Sequence, residues 1–310
     1  MVIGIDVGGT NTSGGLASQD GTLIAKIRHQ TDRTGGAAAG LELISEIISE
    51  LMERASRDGV KVRQIGVGFG GPVDFERGVV LLSHHVAGWE GIPLRDELER
   101  RFQTPVVVDN DANAGTLGEW RFGAGRGFND LLYINIGTGI GGGIISSGRL
   151  LRGAHNLAGE IGHTIVVRDG PLCTCGKRGC LESCACGDAI ARRGSEALGR
   201  HVSGKDVFAL ALDQDPAAQR VLSEVIEDLA HGIGTAVSLL NPAAVIIGGG
   251  LSEAPQALFL EPLKRAIPRF CLNESAANLH VNAAQLRYEA GIMGAVALAL
   301  SQPGLASRCQ

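Results

Sequence analysis

The stretch Ile3–Leu16, IGIDVGGTNTSGGL, decides the fold. Val2 to Val7 alternate as a strand that runs directly into Gly8, Gly9 and Thr10, a tight turn. A strand and glycine turn return at Leu131–Ile145, LLYINIGTGIGGGII, so the chain reads as two related lobes. Around the first copy, LIAKIRHQT from Leu23 is a second strand candidate. Leu41, Ile44, Ile48, Leu51, Met52 and Ala55 then recur at helical spacing on one face, which is a core stripe. An apolar run IGVGFGG from Ile65, a polar loop through Trp89, a helix over Leu94–Phe102 and a strand over Val106–Val108 follow. Beyond the second copy the pattern turns helical. It shows an apolar-faced run over Val221–Leu240, a buried strand AAVIIGGG ending at Gly250, and a final helix over Gly291–Leu300. Strands alternating with helices predict an α/β fold with a partly parallel sheet. No proline-rich linker marks the join. By pattern the boundary falls near Gly115, with a first lobe over 1–115 completed by the C-terminal helix in 291–310, and a second lobe over 116–290.

The 310 residues, 44% hydrophobic, suffice for two linked cores. A net charge of -5 on a mixed-sign background, with no long basic run, argues against a nucleic-acid groove or an anionic membrane surface and favours small solutes as partners. No apolar stretch reaches membrane-spanning length, and MVIGIDVGGT lacks the basic flank and cleavage site of a signal peptide, so the expected location is cytoplasmic. Of seven cysteines, five fall between Cys173 and Cys186. In a long chain of this kind such density reads as metal binding rather than a disulfide scaffold. Cys271 and Cys309 stand alone and read as buried small hydrophobes or idle thiols.

Three glycine turns each follow a strand: DVGGTN at Asp6–Asn11, GTGIGGG at Gly137–Gly143 and GGG at Gly248–Gly250. Glycine lets the backbone approach a bound group and aim N–H donors at phosphate oxygens. Gly8, Gly9, Thr10, Asn11, Gly137, Thr138, Gly139 and Gly249 are therefore the candidate nucleotide contacts. None of the turns reads as a P-loop, and GTGIGGG lacks the opening βαβ context and downstream acid of a dinucleotide fingerprint. Asp111, just past the strand VVVD, is the candidate general base, because ligands of open α/β sheets lie beyond the carboxyl ends of strands. Read without further context, an Asp in such a turn is usually a helix cap or a solvated loop acid, and Asp6 a turn-stabilising side chain.

The motifs DVGGTN, GPVD at Gly71, DNDAN at Asp109, GTGIGGG, AGEIGH at Ala158, CTCGKRGCLE at Cys173 and IIGGG at Ile246 together carry a resemblance. The chain resembles the ROK family of sugar kinases and repressors, within the actin and hexokinase superfamily. The match runs nearly end to end, and EIGH followed by CxCGxxGCxE is its most specific part. The resemblance implies a two-lobed, ribonuclease-H-like ATPase fold of actin/hexokinase type with a cleft between the lobes. It also implies ATP-dependent phosphorylation of a hexose. Asp111 would be the base and Asp6 would hold Mg²⁺ through water. The implied sugar contacts are Gly71, His85, Asn110, Asp111, Glu160, His163 and Glu182. The four ligands His163, Cys173, Cys175 and Cys180 make a Cys₃His set suited to tetrahedral structural zinc.

Two departures stand out. Many kinases of the family read Ser-Pro-Asn-Leu where this chain has Ser83, His84, His85 and Val86, so His85 replaces a sugar-contacting asparagine; His84 and Trp89 are candidates for a wall over the sugar. Cys184 and Cys186 replace tyrosine and serine beside the zinc set, either as packing residues or as alternative thiolates. Glucose at its 6-hydroxyl is the expected substrate. N-acetylglucosamine, N-acylmannosamine, fructose and allose are alternatives. The family's repressors carry a helix-turn-helix ahead of the kinase-like part, whereas here the phosphate turn starts at Asp6, so a kinase is expected rather than a regulator. Family habit predicts a homodimer or homotetramer.

Overall fold

The computed structural model describes residues 1–83 and 86–301. These described residues form two compact units: one within 1–126 together with 152–158 and 286–301, the other 127–151 with 159–285.

The first unit opens with β1 (Val2–Val7), β2 (Asn11–Ala17) and β3 (Leu23–Gln30), then α1 (Gly36–Arg57), β4 (Gln64–Phe69), the short pair β5 (Val73–Asp74) and β6 (Val79–Val80), α2 (Leu94–Phe102), β7 (Val106–Asn110) and α3 (Asp111–Phe122). Five strands make a sheet in the order β3-β2-β1-β4-β7. The first three pair antiparallel; β1, β4 and β7 run parallel. β2 is a strand that glycine content conceals. Gly14 and Gly15 are poor strand formers, yet a Cβ at Gly14 would stand 2.4 Å from an Ile47 methyl of α1. One at Gly15 would stand 2.4 Å from Ile292 on the opposite face, so both faces of β2 are closely covered. Of the expected stripe of α1, Ile44, Ile48, Leu51 and Ala55 are buried and Leu41 and Met52 partly buried against the same core, which Ile47 joins. Trp89 belongs to that core: it is 2% exposed and packs edge-on to Phe69, with ring centroids 4.9 Å apart. The expectation of a sugar-covering wall at Trp89 is corrected accordingly, because a large apolar ring gains more from full burial than a loop tip provides.

The second unit contains β8 (Leu131–Ile136), β9 (Ile140–Ser146) and β10 (Arg149–Leu151), four helices α4 (Leu181–Ala185), α5 (Gly187–Leu198), α6 (Gly204–Leu212) and α7 (Pro216–Leu240), then β11 (Ala244–Gly248), α8 (Leu260–Ala266), α9 (Asn273–Ala277) and β12 (His280–Ala283). Its sheet order, β10-β9-β8-β11-β12, repeats the first unit's pattern of an antiparallel trio beside a parallel pair. This is the physical content of the repeated strand and glycine turn. Asp215 caps α7 by accepting from the backbone N–H groups of Ala217 and Ala218, with Pro216 in the first turn.

The chain returns to the first unit with α10 (Ala290–Ser301), whose residues Ile292–Ala299 are all buried. A helix buried on every side carries little amphipathic pattern. Buried Glu119 on α3 accepts from Ala124 N and Leu286 N, both at 2.8 Å, and so ties the approach to α10 to the end of α3. Gly115, where pattern alone drew a boundary, lies inside α3. Among the described residues no helix is long and apolar enough to cross a membrane.

Candidate active site and metal centre

In the first unit the carboxyl ends of three adjacent parallel strands carry the predicted residues together. Val7 stands beside Phe69 in register, and Phe69 beside Asn110. Asp6 and the Gly8–Asn11 turn therefore lie at the same carboxyl end of the sheet as Gly71, Asn110 and Asp111. The turn is closed by Gly8 N donating to Asn11 O at 3.0 Å. It is held from outside by Thr31, whose hydroxyl donates to Gly8 O at 2.8 Å, and by Arg33, which donates to Gly9 O and to the Thr10 hydroxyl.

Asn110 caps α3: its Oδ1 accepts from Ala112 N at 2.9 Å and Asn113 N at 3.2 Å. Its Nδ2 donates to Gly71 O at 3.2 Å and to Asp111 Oδ1 at 3.0 Å. Asp111 Oδ1 also accepts from Ala112 N at 2.9 Å, and the residue is exposed. The base candidate is thus oriented by its neighbours while open to a substrate. Asp6 packs against the first turn of α10, where a Cβ on Gly291 would fall 2.1 Å from its Oδ2. Burial, then repulsion from Asp111, push the Asp6 carboxyl up to about 7, with Arg28 opposing them.

In the second unit, Gly137, Thr138 and Gly139 follow β8, and Gly249 follows β11, its parallel neighbour. Glu182 braces this turn: its Oε2 accepts from Ile140 N at 2.9 Å, and a Cβ at Gly139 would stand 2.5 Å from that oxygen. Gly187 N donates to Gly137 O at 2.8 Å, fixing the start of α5 to the same turn.

The ligand atoms of His163, Cys173, Cys175 and Cys180 all lie within 4.8 Å of one another. His163 closes a short 3₁₀ turn, Ile161–His163, that follows Glu160. The cysteines sit on a knuckle in which Cys173 N donates to Lys177 O at 2.8 Å and Gly176 N to Cys173 O at 2.9 Å. Cys175 Sγ is 3.6 Å from Cys180 Sγ, and Cys173 Sγ is 3.6 Å from His163 Nδ1. Four ligands around zinc at ~2.3 Å stand roughly 3.8 Å apart at tetrahedral angles, so these separations fit that ion. The other ring nitrogen, His163 Nε2, faces Glu160 Oε2 at 3.9 Å. Burial and the neighbouring Cys175 and Cys173 push the Cys180 thiol up to about 12, while a hydrogen bond from the Lys177 backbone lowers Cys175. Cys184 and Cys186 are buried in the hydrophobic core and stand outside the ligand group, which favours packing over exchange.

His85, the expected specificity residue, and His84 lie outside the described residues. Four residues that sequence reasoning passed over support the predicted ones. Thr31 and Arg33 clamp the glycine turn. Asp109, 1% exposed, pairs with Arg152 at 2.8 Å, and the Arg152 guanidinium lies 3.6 Å over the Phe75 ring. Only the acidity of Asp109 within DNDAN was visible beforehand; its partner lies 43 positions away.

With this geometry in hand, the relatives are informative. The ROK family model matches residues 2–302. A glucokinase of Thermotoga maritima is 36% identical over 311 residues, covering 96% of either chain. Among solved structures, a ROK hexokinase from Thermus thermophilus superposes with a TM-score of 0.84 at 36% identity over 96% of this chain and 97% of that one. A ROK family glucokinase from Streptomyces griseus, in complex with glucose and AMPPNP, gives 0.81 at 35% identity over 97% and 99%. The actin/hexokinase-type α/β fold of these neighbours is the fold that the resemblance implies. On both the family match and the full-length relatives, the chain belongs to the ROK family.

Proposed function

We propose that this chain transfers the γ-phosphoryl group of ATP to a hexose, at the 6-hydroxyl of glucose. The observation that carries the reading is the pairing of an exposed, oriented Asp111 with a glycine turn and a second carboxylate, Asp6, at the carboxyl end of one sheet. Relatives named glucokinase, and one solved with glucose and an ATP analogue, support the substrate pair.

Asp111 accepts the proton of the sugar hydroxyl as its oxygen attacks the γ-phosphorus and the bond to the bridging oxygen of ADP breaks. Asn110 fixes the carboxylate for that role. Backbone N–H groups of Gly8–Asn11 and of Gly137–Gly139, with Gly249, are assigned to the phosphates. Asp6 fits a hydrated Mg²⁺, since its excess negative charge beside Asp111 is what a divalent cation relieves; bound with ATP, the ion supplies neutralisation of the phosphate oxygens. Gly71, Asn110, Glu160, His163 and Glu182, with His85, are assigned to the sugar. His163, Cys173, Cys175 and Cys180 would hold zinc, which supplies a fixed loop for Glu160 and Glu182. A homodimer or homotetramer in the cytoplasm completes the reading, and sedimentation analysis tests the assembly.

The test is ADP release coupled to a reporter across glucose, mannose, fructose, allose and the N-acyl sugars. Asp111→Asn is expected to lower kcat by ~10²- to 10⁴-fold while calorimetry still detects sugar binding. A variant with unimpaired kcat refutes the assignment.

A further inference from the structure

We infer that Arg152 is a positioning residue for phosphoryl transfer, holding the Asp109–Asp111 turn through the buried Asp109 carboxylate. The inference rests on Asp111 being the base. Arg152 opens the stretch 152–158, which packs within the first unit although it joins β10 to Glu160 of the second. Its Nε donates to Asp109 Oδ2 at 2.8 Å, and a terminal nitrogen lies at the same distance from that oxygen. The other carboxylate oxygen, Oδ1, accepts from Asn110 N at 2.8 Å and from Asn113 Nδ2 at 2.9 Å.

Asp109 therefore has donors on both oxygens and links the last residues of β7 to the first turn of α3. The relay ends on the reacting group, since Asn110 Nδ2 donates to Asp111 Oδ1 at 3.0 Å. Phe75, lying 3.6 Å beneath the guanidinium, limits the directions from which Arg152 can reach Asp109. A buried carboxylate without its cation takes up a proton or admits water, and either change loosens the acceptor that fixes Asn110. Arg152 does not touch the reacting atoms. Its effect is on where Asp111 sits, and displacement of a catalytic group by about 1 Å costs on the order of 10²-fold in rate.

The experiment compares Arg152→Ala, Arg152→Lys, the charge-neutral double variant Asp109→Asn with Arg152→Met, and Asp111→Asn as reference. Steady-state kinetics are run over ATP and glucose, with thermal melts alongside. Arg152→Ala is expected to lose about 10²-fold in kcat with KM for both substrates within about threefold. Arg152→Lys, or millimolar guanidinium added to the alanine variant, should recover part of that loss. The double variant leaves no lone buried charge, so it should regain thermal stability while kcat stays low. A double variant that recovers kcat along with stability overturns the inference, as does an alanine variant with normal kcat while Asp111→Asn is inactive. If Asp111→Asn retains full turnover, the reading of the base fails and the role of Arg152 falls with it.

Discussion

Replacing Asp6 by Asn tests the electrostatics of the proposed catalytic edge without using turnover. Burial chiefly, and Asp111 secondly, push the Asp6 carboxyl up from an ordinary 3.8 to about 7. A raised carboxyl means that the folded state binds more protons than the unfolded state between those two values. The contribution of Asp6 is therefore harmless below about pH 4, and stability is lost as pH rises from there towards 7. At 1.36 kcal/mol for each tenfold change in proton affinity, the interval corresponds to a ceiling of about 4 kcal/mol, reduced in practice because the residue is not wholly closed to solvent. Asn keeps the shape and cannot ionise. The chain's two tryptophans, Trp89 and Trp120, both lie in the first unit, so fluorescence-monitored urea unfolding reports on the unit that holds Asp6. In magnesium-free buffer the variant and the parent should be close in stability at about pH 4, and the variant should be the more stable by a few kcal/mol at pH 8. Asp111→Asn should recover a smaller part of the same difference. Parallel stability curves for parent and Asp6→Asn across pH 4–8 would refute the burial and repulsion argument.

The metal centre and the packing of α10 give two further tests. Elemental analysis of purified protein should return close to one zinc per chain, and Cys175→Ser should lower both metal content and thermal stability; a metal-free protein of full stability speaks against the site. Gly66→Ala places a methyl 2.1 Å from Ala295 O of α10, so about 1–3 kcal/mol of stability should be lost in urea unfolding while zinc content is unchanged; a neutral variant would mean that α10 stands further from β4.

The parts of this molecule that sequence alone disclosed are those where local chemistry leaves a local trace. A turn suited to a close approach by phosphates is glycine-rich, and the three glycine turns proposed for that role stand where strands end. The three cysteines of the proposed metal centre are close in sequence because a knuckle of a few residues presents them. The helical stripe of α1 appears because one face meets the core and the other meets water. Where an element is buried on both sides, that contrast disappears. Residues Asn113–Glu119 of α3 are buried without interruption, which removed the amphipathic signal from the helix and let a boundary be drawn through it at Gly115. β2 was hidden for a related reason, since Gly14 and Gly15 are strand residues whose small size answers to Ile47 and Ile292, both far away in sequence.

The same reasoning explains why the supports of the candidate site were harder to see than its principals. Asp111 and Asn110 are adjacent in sequence, and their hydrogen bond is a property of the turn itself. Thr31 reaches Gly8 across 23 positions, and Arg152 reaches Asp109 across 43, so neither has any local pattern to announce it. A charged residue with no nearby partner reads as a solvated surface group until its burial is known. Asp109 at 1% exposure reverses that reading, because a carboxylate so enclosed requires a cation, and the cation must come from elsewhere in the chain. The chemistry of the reaction is therefore written in contiguous motifs, whereas the accuracy with which those motifs are held depends on pairs that only the folded chain brings together.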